Sequence, residues 1–589
     1  MHSENSHLSK QPSNNPTDTS PNDLSVQDIT DWMIAQVADR FGLDANAIDP
    51  LQPFVRLGLD SIAALELLAA LEDWLDASLP LTLMWDYPTI NAIARHVANA
   101  LHEPEGSLNE DIRAWISDEI PMSSAFKWGG VHEHPISYGQ RALWTLFQSA
   151  PAHTMCNLMS AVRIRAELDV PALQWAFQQL IDRHPALRTS FAISDGQPVQ
   201  RVHEHMEARF SEEDASTWSD EFLRHCLSGE AYRPFDLERG PLMRLQLFTR
   251  APDEHIFLLV VHHIIADFWS LVIFVHELEI LYQAAKSGAP NPLPPLQSQF
   301  SDFVRWQTEI LAQSEGEALW TYWKGQLDGP LQPLHLPIDR RRPAWHSYRG
   351  ASQALRLQNT LTDKLKAVSH DAETTLFTTL LTTLYALIYH YTDQEDIIIG
   401  SPMTGRSRGA WLETIGHFVN PVILRTSLAG NPTFAELAQG VKTTVQGAIE
   451  HQDYPFSLLT ERRQPQRDLG SLPFPQVMFV WKKAHRLNGA DLTPLALGTE
   501  SAQVIVGELP LEPIPLELVP LEQHVSQCDL TLTIGEVDGG LAGSLQYNTS
   551  LFDPATVQRM RRHYELLLEK IVDDPKQRLA TILLALSDN

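Results

Sequence analysis

The sequence predicts a multidomain chain: a small all-α bundle near the N-terminus, then a much larger α/β body. Three observations predict this. At 589 residues the chain exceeds one ordinary hydrophobic core. Apolar residues recur at helical spacing between positions 24 and 101. Beyond 134, strand-length apolar runs alternate with helical patterns, and no short internal repeat is visible.

In the bundle, Ile29, Met33, Val37 and Phe41 mark one helix, and Gly42 stands where it would stop. A loop with Pro50 and Pro53 leads to Leu57-Gly58-Leu59-Asp60-Ser61. A second amphipathic helix carries Leu65, Leu68, Leu71 and Leu75 on one side. Asp86-Tyr87-Pro88-Thr89 then turns the chain into a last helix over 90–101, so a four-helix bundle fits these lengths. Residues 1–23, rich in Ser, Asn, Pro and Thr, read as a disordered tail. Residues 102–134 read as a linker, with Pro104, Gly106, Pro121, Gly129 and Gly130 and one short helix at 112–116. In the body, 161–164 and 395–400 read as strands, and 255–261 as a strand buried on both faces. Helices are expected over 171–183, opened by Asp169 and Pro171, and over 271–285, 376–391 and 553–572.

Composition narrows the function. Hydrophobic residues make up 43% and charged residues 20%, the balance of a globular protein, and no apolar run has bilayer-spanning length. The net charge of −29, from 44 basic and 73 acidic residues, argues against nucleic-acid binding, which needs a basic footprint. The N-terminus has neither a signal core nor a transit pattern. Three scattered cysteines (Cys156, Cys226, Cys528) imply neither a disulfide framework nor a zinc site, so the expected setting is the cytoplasm, with no membrane partner.

Two constellations carry chemistry. Ser61 opens a helix, where serine ordinarily caps. The same position leaves the hydroxyl exposed, and the positive helix end suits a phosphodiester. Both readings fit. The second is His262-His263-Ile264-Ile265-Ala266-Asp267, directly after the buried strand. Paired histidines at a strand end fit either a structural, hydrogen-bonded pair or a general base, which needs a neutral imidazole with a fixed tautomer. Strand alternation lets at most one of them face a given cleft. No third histidine stands at metal-ligand spacing nearby, so no metal is expected. Trp306 and Trp320-Thr321-Tyr322-Trp323, with no basic groove around them, read as packing. Arg340-Arg341-Arg342 reads as a solvated loop, with carrier or phosphate docking as the alternative.

The segment LGLDSIAALELLAALE followed by MWDYPTI closely resembles the acyl and peptidyl carrier domains of polyketide and nonribosomal peptide synthases. The resemblance covers 24–101 and implies that Ser61 receives 4′-phosphopantetheine. A second resemblance, to nonribosomal peptide synthetase condensation domains, runs over 135–589. It rests on an ordered series: Ser137-Tyr138-Gly139-Gln140-Arg141-Ala142-Leu143-Trp144, Arg183-His184-Pro185-Ala186-Leu187-Arg188, Pro234-Phe235-Asp236-Leu237, the His262–Asp267 turn, Ser301-Asp302-Phe303, Gly405-Arg406, Ile415-Gly416-His417-Phe418-Val419-Asn420, His451-Gln452-Asp453 and Pro475-Gln476-Val477-Met478-Phe479.

That resemblance implies two chloramphenicol-acetyltransferase-like lobes in a V (135–305 and 306–589) with a tunnel between them. It makes His263 the catalytic base or orienter and His262 structural. Asp267 becomes a loop-holding carboxylate, with Arg406 as its salt-bridge partner. Phe268, Trp269, Ser270 and Asn420 are expected to line the substrate channel, and the backbone after Asp267 is a candidate oxyanion donor. The family usually has glycine where this chain has Phe268, which puts substrate preference in doubt. The intact histidines and the Trp269-Ser270 order resemble condensing members rather than heterocyclising or epimerising ones.

The implied reaction joins an acyl thioester on Ser61 to an amine or alcohol, giving an amide or ester. No adenylation, ketosynthase or thioesterase sequence accompanies it. The expected partners are therefore a phosphopantetheinyl transferase, upstream synthase proteins loading the carrier in trans, and a carrier-bound or free nucleophile. If Asn589 is the native end, chain release is the expectation. The alternatives are a non-catalytic carrier-docking module and a coenzyme A-dependent acyltransferase.

Overall fold

The chain, seen in a computed structural model, divides into two compact units, 1–124 and 125–589. The structure describes residues 24–41, scattered positions between 44 and 89, and 90–102 in the first unit. In the second it describes 131–149, 156–343, 349–463, 475–483, 492–497, 504–506, 509–513 and 528–586. Ser61, the tail at 1–23 and the short helix expected at 112–116 lie outside the described residues.

In the first unit the helix Val26–Phe41 turns Ile29, Met33 and Val37 fully inward. They meet Leu68, Leu71 and Leu75 and the inner face of the helix Ile90–His102, namely Ile90, Ile93, Ala94 and Val97. The spacing of three and four places all of these on one stripe per helix. Trp32 and Trp74 stack at 4.8 Å on the flank of this core. Thr89 starts the last helix, its hydroxyl accepting from the Ala92 amide at 3.1 Å.

The second unit is built on two large sheets. In the first, Asn157–Ile164, Glu254–His262 and Met243–Ala251 run antiparallel, and Phe210–Asp214 extends the edge in parallel. On its other edge, Leu509–Pro513 pairs with Asn157–Ile164 and carries Val504–Val506 beyond it. The second sheet runs in the order Asn420–Ser427, Asp396–Met403, Val477–Lys482, Leu530–Val537, Gly540–Asn548 and Gly350–Leu357. Here Val477–Lys482 is parallel to both its neighbours. Division of the body at 305/306 therefore does not divide its sheets, because a strand beyond 500 completes the sheet of the first half.

The strand Glu254–His262 is buried from His255 onward, on both faces, with a paired strand on each edge. The helix after it begins at Phe268, not 271, and runs to Ser287. Asp267 is its N-cap, and Gly288 ends it with φ 68°, a left-handed conformation that glycine adopts without strain. The tryptophans pack: Trp323 is buried, its indole N–H donating to the His451 carbonyl at 2.8 Å, and Trp306 lies against Phe303 and Trp411. The basic run stays exposed at Arg340 and Arg341, as a solvated loop would, but two of its members are also tied to the body. Arg342 pairs with the buried Asp529 at 2.9 Å, and Arg340 donates to the carbonyls of Thr549 and Phe552 and to Asp553.

Candidate active site at the histidine turn

The turn 263–267 joins the buried strand to the helix Phe268–Ser287. The His262 amide donates to the Leu242 carbonyl at 2.9 Å, and the next amide, His263, donates to Cys156 at 2.7 Å, so successive residues address opposite neighbours. Alternation sends the two imidazoles apart. His262 is buried against Phe235, its Nδ1 accepting from the Ile264 amide at 3.2 Å. Burial and the adjacent His263 push its pKa down to about 3, so it is a neutral packing group.

His263 and Phe268 keep part of their surface accessible, whereas residues 264–267, 269 and 270 are buried. His263 Nδ1 lies 2.7 Å from the Ala266 carbonyl. A carbonyl only accepts, so Nδ1 carries the hydrogen and Nε2 keeps its lone pair. Burial lowers the pKa of His263, against the Ala266 hydrogen bond and the Asp267 charge, which favour the cation; Lys482 adds to the lowering.

His417 completes this cluster. Its Nδ1 is 3.2 Å from His263 Nδ1 and the rings meet edge to face. With the hydrogen on His263 Nδ1, His417 Nδ1 must offer a lone pair, which places its own hydrogen on Nε2. Burial and then His263 hold the pKa of His417 at about 3. A Cβ at Gly139 would stand 2.9 Å from the His417 ring, a close approach that explains glycine in that motif.

Asp267 faces the other way. Oδ1 accepts from the Ser270 amide and hydroxyl, both at 2.7 Å, and from Arg406 Nη2 at 3.0 Å. Oδ2 accepts from the Phe418 amide at 3.2 Å and Arg406 Nη2 at 3.3 Å. Burial opposes ionisation of this carboxyl, but Arg406 and the Ser270 hydrogen bonds outweigh it and hold its pKa below the usual range. Arg406 donates from Nη1 to the carbonyls of Trp411 and Thr414 and lies 4.0 Å over the Phe418 ring. Beside it, Gly405 at φ 66° admits no side chain, since a Cβ would stand 1.9 Å from the Phe418 carbonyl oxygen.

Three residues expected along the channel have other duties. Ser270 Oγ is enclosed by Asp267, the Gly416 backbone and Arg406. Trp269 is buried, and its indole N–H donates to the Leu412 carbonyl at 2.9 Å. Asn420 Nδ2 donates to the carbonyls of Gln452 and Tyr454, and its Oδ1 accepts from the Phe456 amide. Their polar atoms are used up holding neighbouring backbone. The Ser270 amide is likewise committed to Asp267 and is no oxyanion donor. Of the four, Phe268 and Asn420 border accessible space, and the side-chain amide of Asn420 is already engaged.

Two residues at the turn had no sequence-derived role. His417 stands inside the quoted Ile415–Asn420 motif, so its position was the signal. Lys482 ends the strand Val477–Lys482, with Nζ 4.6 Å from the Phe268 ring centroid. Burial lowers its pKa to about 8, with Asp267 opposing.

Comparison with known proteins comes to the same two regions. A family model described as Condensation domain matches residues 131–589, and one described as Phosphopantetheine attachment site matches 31–97. One of the linear gramicidin synthase proteins of Brevibacillus parabrevis is 34% identical over 94% of this chain and 7% of its own length. Chondramide synthase from Chondromyces crocatus is 36% identical over 76% of this chain and 11% of its own. The chain therefore spans a small part of these relatives. A solved four-domain nonribosomal peptide synthetase, bound to AMP and glycine, superposes on 78% of this chain and 34% of its own, with TM-score 0.67 and 22% identity, a likeness of fold.

Proposed function

Because the chain belongs to the condensation-domain family and carries a phosphopantetheine attachment region, we propose that it joins a Ser61-borne acyl group to an amine or alcohol. Phosphopantetheine on Ser61 would supply the acyl group as a thioester, with a thiol as leaving group. The observation that carries the reading is His263: neutral, its tautomer fixed by Ala266, its Nε2 lone pair at accessible space.

Nε2 receives the hydrogen bond of the attacking N–H or O–H and takes up its proton as the new carbon–nitrogen or carbon–oxygen bond forms. His417 and Ala266 hold the ring in that tautomer. Asp267, paired with Arg406, fixes the turn without touching substrate. The reading that fits this geometry is enzymatic rather than a docking module, since a docking surface needs no imidazole with a fixed tautomer. The proposed setting is the cytoplasm, with a phosphopantetheinyl transferase installing the arm and other synthase proteins supplying the acyl group.

The test is a single-turnover assay on the full chain, followed by intact-protein mass spectrometry. His263→Ala is expected to load at Ser61 as wild type does and to transfer at least about 100-fold more slowly. Equal transfer rates would remove the catalytic role. A mass gain in Ser61→Ala after incubation with the transferase would remove the attachment assignment.

A further inference from the structure

Lys482 differs from the other interior cations of this unit. Arg406 is paired with Asp267, Arg342 with Asp529 and Arg183 with Glu277, and Arg244 donates to the backbone carbonyls of Glu230 and Arg233. The Lys482 ammonium has no carboxylate within ion-pair distance and no hydrogen-bond acceptor among the described residues. Its contact is the face of the Phe268 ring, 4.6 Å away. A cation–π contact attracts the charge but engages none of its three N–H donors. The acid whose field it feels, Asp267, already has every oxygen engaged by Arg406, Ser270 and Phe418. Lys482 is only half-buried, so these donors reach accessible space.

Its place in the fold limits what that space can hold. Phe268 directly follows Asp267, and the Lys482 charge acts on His263, so the ammonium belongs to the turn where the bond forms. An unpaired ammonium in a low-dielectric setting is a strong site for an anion. The phosphate of a pantetheine arm sits at the opposite end from its thioester, so an anion at Lys482 comes from a small substrate. We propose that Lys482, held on the ring of Phe268, binds a carboxylate of the attacking nucleophile, so that the acceptor is an anionic amino or hydroxy acid. This rests on the condensation reading and names its acceptor class. Phe268 then serves as the platform that aims the ammonium, in place of a glycine that would leave it undirected.

The anion site is tested first without turnover. Reductive methylation of the full chain at pH 7, read residue by residue by mass spectrometry, reports on the Lys482 amine. Butyrate is expected to slow its labelling at least threefold relative to butyramide, with the exposed Lys324 and Lys364 as controls that do not respond. Equal labelling in the two compounds overturns the proposal. The second arm uses acyl-loaded chain and matched pairs, β-alanine with β-alaninamide and 3-hydroxybutyrate with 3-hydroxybutyramide. Each acid is expected to discharge the acyl group at least tenfold faster than its amide. Lys482→Met should slow the acid to the rate of the amide, and Lys482→Arg should keep the preference. A preference that survives in Lys482→Met overturns the carboxylate site. A preference that appears only when the acyl group itself bears a carboxylate moves the anion to the donor and overturns the acceptor assignment. Discharge that is unaffected by His263→Ala counts against the condensation reading instead, and the labelling result stands apart from it.

Discussion

Arg406 and Lys482 are both interior cations that sense the same carboxylate, Asp267, yet they are built in opposite ways. Arg406 has a bidentate partner, two carbonyls and a stacked ring. Lys482 has a ring and no counter-ion among the described residues. The first arrangement spends every oxygen of Asp267 on protein and leaves nothing for substrate. The second leaves donors unspent at accessible space. A cation that holds a fold has its charge paired, and a cation that recognises a ligand is kept wanting a counter-ion.

The sharpest way to break that contrast is to remove the paired cation. Arg406→Met leaves Asp267 as a buried carboxylate with hydrogen bonds but no cation, and should cost about 3–5 kcal/mol of stability by chemical denaturation. A loss below about 1 kcal/mol would show that the pair is not holding the turn. A second test is acid. His262 and His417, whose ordinary pKa is 6.5, are held at about 3 by burial, so unfolding lets them bind protons. Their contribution is complete above pH 6.5 and is lost as pH falls toward 3, and the depressed Asp267 acts in the same direction at the acid end. Asp453, raised to about 6 by burial, and the raised Glu565 work against this, while six further histidines lowered by burial act with it. Thermal unfolding should therefore move to lower temperature between pH 7 and 5, and a flat profile would mean that the two imidazoles are not buried as neutral groups.

A smaller effect is expected at Arg342, which is partly exposed and shares Asp529 with Gln476. Arg342→Ala should cost about 1–3 kcal/mol. The smallest is at Lys482: Lys482→Met should change stability by less than about 0.5 kcal/mol, because it removes a single cation–π contact and relieves the burial of a charge. A loss as large as that of Arg406→Met would make Lys482 a structural cation and erase the contrast.

The contrast also explains what was legible in the sequence. The buried strand and the helices followed from apolar spacing, because burial of one stripe dictates that spacing. The Arg406 pairing with Asp267 was named from motif order, and the two side chains do stand 3.0 Å apart. The expectation that Ser270, Trp269 and Asn420 line the channel rests on the family resemblance and not on their own surroundings. Whether an amide or hydroxyl is available depends on backbone brought in from far along the chain, such as Gly416, Leu412 and Gln452, and no local pattern carries that. The helix start at Phe268 was missed for a related reason. Asp267 was read only as a salt-bridge partner, and its second duty as an N-cap moves the boundary three residues earlier. Lys482 and Phe268 lie more than 200 positions apart, so their meeting depends on the end of a second-sheet strand packing against the helix that follows the first sheet.

The pairing of Leu509–Pro513 with Asn157–Ile164 has a further consequence for anyone who divides this protein. A strand lent from one end of a chain to a sheet begun at the other makes the body a closed circuit. Cut between its halves, the first piece keeps a raw edge of unpaired amides and carbonyls, and the second keeps a strand with no sheet to join. The halves should be insoluble when made separately and soluble when made together, so the body is to be handled as one piece.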